Sequence, residues 1–375
     1  MAGAPLELQL TQLAGGDAPT LQPELWVALD RRASEHRLQP LLHRLHGNSG
    51  AIPETIRAGW SAAYRTSAIT ALHQRRELLQ LASLFAGEGL RFVALKGAWL
   101  AWNAWPDPAL RPLRDLDLYL PGDAALKARD LLLAQGWQQD LDDGFAQLGP
   151  AGWLARFKAL PALTSPAGVM VDLHARLWDD GKVSPPAADA LFERALADPE
   201  HPHLLYPGAV DQLMHLSIHA SFHRFDGGPL MLADFGHLLL RHEFVWPEVW
   251  NRAGDEGWLP SLSLCLEGAR RWSGIDAPWP KPPRDAPRNL VEALPLLLAK
   301  PLDAREGDIA AAKLASGGIG WSEKLRRIAA RRERHSGVRP YLGWLAGETI
   351  ALARSSLGSR DRIAAMTALD DWLAG

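Results

Sequence analysis

Apolar and polar positions along this 375-residue chain follow two rhythms, helical at both ends and strand-like between. From Gln22 to Leu45, the positions Leu25-Trp26, Leu29, Leu38, Leu41-Leu42 and Leu45 fit one or two amphipathic helices. Residues 1–20 show little periodicity and are expected to form a loose arm. Gly47-Asn48-Ser49-Gly50 breaks the pattern. Pro53 then opens a long helix through Ile56, Trp60, Tyr64, Ala71, Leu78, Leu81 and Leu84-Phe85, ending at Gly87 and Gly89.

Strand rhythm begins at once afterwards. Phe92-Val93-Ala94-Leu95 is a short apolar run, bounded like a buried strand. Lys96-Gly97 leads from it into Ala98-Trp99-Leu100-Ala101-Trp102, a helical pattern that must stop before Pro106. Arg114-Asp115-Leu116-Asp117-Leu118-Tyr119-Leu120 alternates strictly, so Asp115 and Asp117 share one face and the leucines the other. A helix follows over Asp123–Gln135, with Asp123 as N-cap and Gly136 as its stop. Trp153–Leu163 and Val169–Trp178 are predicted to pair as a hairpin around Ser165-Pro166-Ala167-Gly168. In its second arm Asp172, His174 and Arg176 fall on one face. Beyond Asp180 the pattern is helical again: Ala209–Phe225, Leu230–His242, Trp246–Gly257 and Leu259–Ser273. The Pro-rich stretch 276–286 is extended, and the remainder is helical. The chain thus divides into an N-terminal helical region (1–88), a mixed segment (89–180) and a C-terminal helical domain (181–375).

Composition narrows the functions open to this pattern. With 47% apolar and 22% charged residues the chain is ordinary globular material. A net charge of −3 argues against a general nucleic-acid binder. The single cysteine, Cys265, excludes a disulfide framework and a thiolate metal cluster. The N-terminus has no basic residues before its apolar positions and carries Glu7, and no apolar run approaches the ~20 residues needed to span a bilayer. A cytoplasmic protein with no membrane partner is expected.

The chemistry concentrates between Leu95 and His174. A strand running through a glycine turn into a helix start gathers free N–H groups that suit a phosphate, and bulk at Gly97 is expected to block its approach. Two carboxylates beside such a cradle repel each other unless a hard divalent cation sits between them. Asp172 adds a third carboxylate. Together these outline a magnesium–triphosphate site with Asp115, Asp117 and Asp172 as metal ligands. The bland alternative, a solvated edge strand, is disfavoured by the all-leucine opposite face. His174 could orient Asp172, act as a base, or be hydrogen-bonded structurally under the hairpin. Trp99, Trp102 and Trp105 read as core, with base stacking as the alternative. His215, His219 and His223 form one helical stripe, either packed in the core or facing the cleft to help bind substrate. Asp234 is either an acceptor-side base or a buried structural carboxylate. The basic run Lys324, Arg326, Arg327, Arg331, Arg332 and Arg334 reads as a solvated helix face, an anionic partner being the sharper alternative.

Three motifs taken together carry a resemblance: Leu95-Lys96-Gly97, Arg111-Pro112-Leu113-Arg114-Asp115-Leu116-Asp117, and Asp172-Leu173-His174-Ala175-Arg176-Leu177-Trp178. They resemble an uncharacterised bacterial nucleotidyltransferase family with the DNA polymerase β type of catalytic core, over roughly residues 25–275. The resemblance implies an α+β fold, a nucleotidyltransferase-like mixed sheet flanked by N-terminal and C-terminal helical regions. It implies Mg2+-dependent transfer of a nucleotidyl group from a nucleoside triphosphate such as ATP to an acceptor hydroxyl on a small molecule, peptide or RNA. Asp115, Asp117, Asp172 and His174 would be catalytic; Lys96, Gly97, Arg111, Arg114, His219 and His223 would bind the nucleotide. The wider superfamily has Gly-Ser after its first strand, whereas Ala98 follows Gly97 here, so the charge of Lys96, Arg111 or Arg114 would replace a hydroxyl. A peptide-tailoring enzyme on the same core, or a non-catalytic nucleotide-binding protein that retains the fold, are the alternatives.

Overall fold

The computed structural model describes residues 5–18, 21–139, 141, 143–178, 188–304 and 360–375; the basic run of residues 324–334 lies outside them. The expected loose arm is instead helix α1 (Leu6–Ala14). Its Leu10 and Leu13 are fully buried, and it packs against α13 (Arg288–Leu298) as well as α2 (Pro23–Glu35) and α3 (Gln39–His46). Leu6, Leu10 and Leu13 do make an apolar stripe, but one too short to stand out as periodic. The long helix is α4 (Glu54–Gly87), which ends at the glycine where its apolar pattern stops.

Among the described residues one mixed sheet of seven short strands forms the centre, in the order β3-β4-β5-β2-β1-β7-β6. The strands are β1 (Val93–Ala94), β2 (Leu116–Tyr119), β3 (Gln138–Gln139), β4 (Leu163–Thr164), β5 (Met170–His174), β6 (Leu196–Ala197) and β7 (Leu205–Tyr206). β1 runs antiparallel to β2, and β2 runs parallel to β5. The β2–β5 register sets Asp117 beside Asp172 and Tyr119 beside His174. This is the mixed α+β architecture expected, with helices flanking the sheet. Leu116, Leu118 and Leu120 are buried as their alternation demands. Asp117 and Tyr119 are buried too, the first under Lys96 and His174 and the second stacked on Phe192.

Three expectations need correction. The first hairpin arm begins at Lys158, whose carbonyl accepts from the Ala175 N–H at 2.8 Å, and continues through the Ala159–His174 bridge to β4, since Trp153 and Leu154 end helix α7 (Asp143–Leu154), a helix broken at Gly149-Pro150. Trp153 packs between Phe145 and Phe157 and donates its indole N–H to the Ala159 carbonyl at 2.9 Å, so this apolar cluster serves a helix and not a strand. Asp123 lies inside the first turn of α6 (Asp123–Ala134), and Gly122 takes the N-cap. The chain beyond Asp180 is not wholly helical as expected: after α8 (Ala188–Glu193), β6 and β7 add two strands to the sheet beside β1, too short to show alternation. The later helices follow the sequence pattern closely: α9 (Ala209–Phe222), α10 (Leu230–Arg241), α11 (Trp246–Asp255) and α12 (Leu259–Trp272). Among the described residues no helix is long and apolar enough to cross a membrane.

Candidate active site

Strands β2 and β5, the turn after β1, and helices α9 and α10 enclose one cavity of about 350 Å³. Its floor is acidic. Asp115, Asp117 and Asp172 all line it, because one precedes β2 on the face that Asp117 occupies and the other stands beside Asp117 in register. Ligand atoms of Asp117, Asp172 and His174 lie within 4.8 Å of one another; Asp115 stands outside that group.

The three carboxylates are not equivalent. Asp117 is 7% exposed, and its Oδ1 accepts from Lys96 Nζ and from His174 Nε2, both at 2.8 Å. Burial works to raise its pKa, but Lys96 and the His174 hydrogen bond outweigh burial and hold the carboxyl well below its ordinary range. Asp115 and Asp172 are half-buried and make no hydrogen bond or ion pair among the described residues. Burial, reinforced by Asp117, raises the pKa of Asp115. Burial, with Asp117 and Asp115 adding repulsion, pushes Asp172 up to about 6.

Lys96 reaches Asp117 from a strained backbone, with φ at +49° in a residue that is not glycine. Helix α5 (Gly97–Trp99) is a single turn that runs into a π-helical turn over Leu100–Ala104. The Ala98 and Trp99 N–H groups donate to the Leu95 and Lys96 carbonyls at 3.3 Å. The phosphate cradle expected there is therefore smaller than the sequence pattern suggests, since a one-turn helix has little dipole and few free donors. Arg111 lines the cavity but is gripped by Asp234 through two bonds of 2.6 and 2.7 Å. Asp234 is 2% exposed and also accepts from the Trp105 indole N–H at 2.8 Å, which makes it the buried structural carboxylate of the two readings. Burial works against the charge of Arg111, but Asp234 outweighs it and raises the pKa. Trp99 and Trp105 are buried, in keeping with core roles.

The histidine stripe divides. His219 and His223 line the cavity, while His215 lies behind them against Trp178. Burial, then Lys96, holds both His215 and His219 well below the usual imidazole range, so they are neutral. Arg176 is turned away, because β5 stops at His174 and the Arg176 guanidinium donates to the Leu154 carbonyl at 2.9 Å. His174 orients Asp117 on the neighbouring strand, not Asp172 on its own.

A family model described as an uncharacterised nucleotidyltransferase matches residues 22–274, well over half of the chain. The protein belongs to that nucleotidyltransferase family. Neither the comparison with curated proteins nor that with solved structures returned a match. The matched span holds every side chain lining the cavity of this nucleotidyltransferase and ends before the proline-rich stretch.

The donor set of this nucleotidyltransferase suits a hard divalent cation. Carboxylate oxygens are its preferred ligands. Asp115 and Asp172 make no side-chain hydrogen bond or ion pair, and although Lys96, Arg114 and Arg37 offset part of their charge, burial and mutual repulsion still raise both pKa values. His174 Nε2 is committed to Asp117 while its buried Nδ1 has no hydrogen-bond partner, so the close donor group is Asp117, Asp172 and His174, with the Asp115 carboxylate further out on the same cavity.

Several lining residues escaped the sequence reading: Arg37 between α2 and α3, Lys158 before β4, and Asp226-Gly227 between α9 and α10. Nothing in local periodicity marks them. At Gly97 a Cβ would lie 2.3 Å from Arg111 Nη1 and 2.3 Å from Leu113 Cδ2. Gly97→Val must displace the guanidinium that holds Asp234. It is expected to cost about 1–3 kcal/mol of stability as overpacking, in addition to obstructing the cavity. A variant that melts like the wild type would show that Arg111 can move aside freely.

Proposed function

We propose that the protein transfers a nucleotidyl group from a nucleoside triphosphate to an acceptor hydroxyl, with Mg2+ held by Asp115, Asp117 and Asp172. The observation that carries this reading is the set of three carboxylates on one cavity floor, two of them neither hydrogen-bonded nor ion-paired among the described residues. Membership in a nucleotidyltransferase family makes the protein an enzyme of that class; the metal, the triphosphate and the acceptor are our inference. The reading takes 89–180 as the core, joined in its sheet by β6 and β7, with Arg37 from the N-terminal region and side chains between Leu216 and Phe235 completing the cavity.

Asp115, Asp117 and Asp172 would hold the cation, which would supply positive charge to offset the negative charge of the phosphates. Everything else falls to the side chains. His174 holds Asp117 in orientation through Nε2. Lys96 keeps Asp117 ionised and stands at the cavity wall, where its ammonium can also meet a phosphate oxygen. Arg111 adds positive potential while Asp234 prevents it from swinging. Neutral His219, with His223 and the apolar side chains of Leu216, Leu230, Met231 and Phe235, forms the opposite wall, which suits the nucleoside or the acceptor. Crowded carboxylates are costly to keep without a cation to serve, so the catalytic reading is favoured over a non-catalytic scaffold. A small molecule, a peptide or RNA could each supply the hydroxyl.

A thermal-shift series tests this. Mg2+ with ATP or another triphosphate should raise the melting temperature more than either component alone, and Asp115→Asn should remove the Mg2+-dependent part. A shift with triphosphate that is indifferent to Mg2+ in the wild type would overturn the metal assignment. Mass spectrometry of candidate acceptors incubated with ATP then identifies the acceptor.

A further inference from the structure

Arg37 lies outside every motif described above, in the connector between α2 and α3. Its backbone is left-handed, with φ at +56°. The Arg37 N–H donates to Ser34 O at 3.0 Å and the Leu38 N–H to Ala33 O at 2.8 Å, which closes the turn that ends α2. Glycine is the usual residue at the left-handed position of such a turn, because a Cβ is strained there. The backbone gains nothing from arginine at this point.

The Arg37 side chain lines the cavity, half-buried, and the more exposed Arg114 lines it too. Burial lowers its pKa, and Arg114 and Arg111 lower it further by repulsion, with Asp115 opposing them. Arg111 is answered by Asp234. Arg37 and Arg114 have no hydrogen-bonded or ion-paired side-chain partner among the described residues. Two guanidinium groups from separate segments, neither hydrogen-bonded nor ion-paired and with Asp115 as a shared counter-charge, therefore face one cavity, one of them on strained backbone. Strain of this kind persists where surrounding structure imposes it, and it clusters at ligand clamps. Guanidinium groups in such a pair match phosphate oxygens through paired N–H donors.

We propose that Arg37 and Arg114 form the clamp for the polyphosphate tail of the triphosphate, the part that leaves as pyrophosphate. This rests on the triphosphate reading given above. The N-terminal helical region then completes the site, and the clamp supplies tail contacts that the single-turn α5 has few free donors to make. The nucleoside and its α-phosphate need no contact with Arg37.

The test uses the full chain and inorganic tripolyphosphate in Mg2+ buffer, followed by calorimetry. Wild type should bind tripolyphosphate. Arg37→Gly should weaken that binding by about tenfold or more, the size of one charge-assisted contact. Its melting temperature without ligand should be unchanged or raised, because glycine suits the left-handed turn and the repulsion from Arg111 and Arg114 is gone. Arg37→Lys should fall between the two, and affinity for a nucleoside monophosphate should be the same in all three. Wild-type affinity for tripolyphosphate in Arg37→Gly overturns the clamp alone. A melting temperature that falls together with affinity also overturns it, since Arg37 would then be serving the fold. Failure of the wild type to bind tripolyphosphate overturns the clamp and the triphosphate reading together.

Discussion

Asp117→Asn is expected to lower nucleotidyl transfer by about a thousandfold or more, in the range seen when a preorganised electrostatic group is removed. Asp117 is the junction of the site: one of its oxygens receives both the Lys96 ammonium and the His174 imidazole. Asparagine keeps the shape and one acceptor oxygen, so the strand and its neighbours should persist. The charge is lost, however, and with it both a ligand of the proposed cation and the counter-charge of Lys96. Asp117→Ala removes the acceptor as well and leaves Lys96 and His174 facing a void, so it should also lower the melting temperature. Pyrophosphate release from ATP with an identified acceptor measures the first effect, and thermal unfolding separates it from the second. Transfer within tenfold of wild type in Asp117→Asn would remove Asp117 from the reaction.

Much of this arrangement was readable from residue order, and the limits have physical causes. Strict alternation over 114–120 identified a strand with acid on one face, and the same reasoning at 169–177 brought Asp172 and His174 toward it. The β2–β5 pairing then sets Asp117 and Asp172 side by side. Alternation describes one strand, though, and says nothing of what covers it. The cavity wall from α9 and α10 was therefore out of reach, as was the partner of His174 on the adjacent strand. Asp234 and Arg111 are 123 residues apart in sequence, so their pairing leaves no local trace. Arg37 was missed for a different reason. The left-handed turn after α2 carries none of the glycine that normally announces one. The sequence rules work where residues follow backbone preference, and they fail where a side chain overrides it, at Arg37 and Lys96 alike.

Asp172→Asn separates site chemistry from fold stability in the opposite way: it should abolish transfer and stabilise the metal-free protein. In the folded chain Asp172 has a pKa raised from 3.8 to about 6 by burial and by Asp117 and Asp115. A carboxyl with a raised folded pKa binds more protons folded than unfolded between those two values. Stability must then fall as pH rises from about 4 to about 6, and the penalty is fully present above 6. A shift of this size corresponds to at most about 3 kcal/mol. Solvent at a half-buried carboxylate reduces that to about 1–2 kcal/mol. Removing the charge recovers it, so Asp172→Asn should be more stable than wild type at pH 7 in EDTA and equal to it near pH 4. Mg2+ should reverse the order at pH 7, since the wild type gains a neutralising ligand and the variant loses one. Urea unfolding at the two pH values, with EDTA or with Mg2+, reads all four states. A variant less stable than wild type at pH 7 in EDTA would mean that Asp172 is held by a favourable partner, and that the floor of the cavity carries no uncompensated charge for a cation to answer.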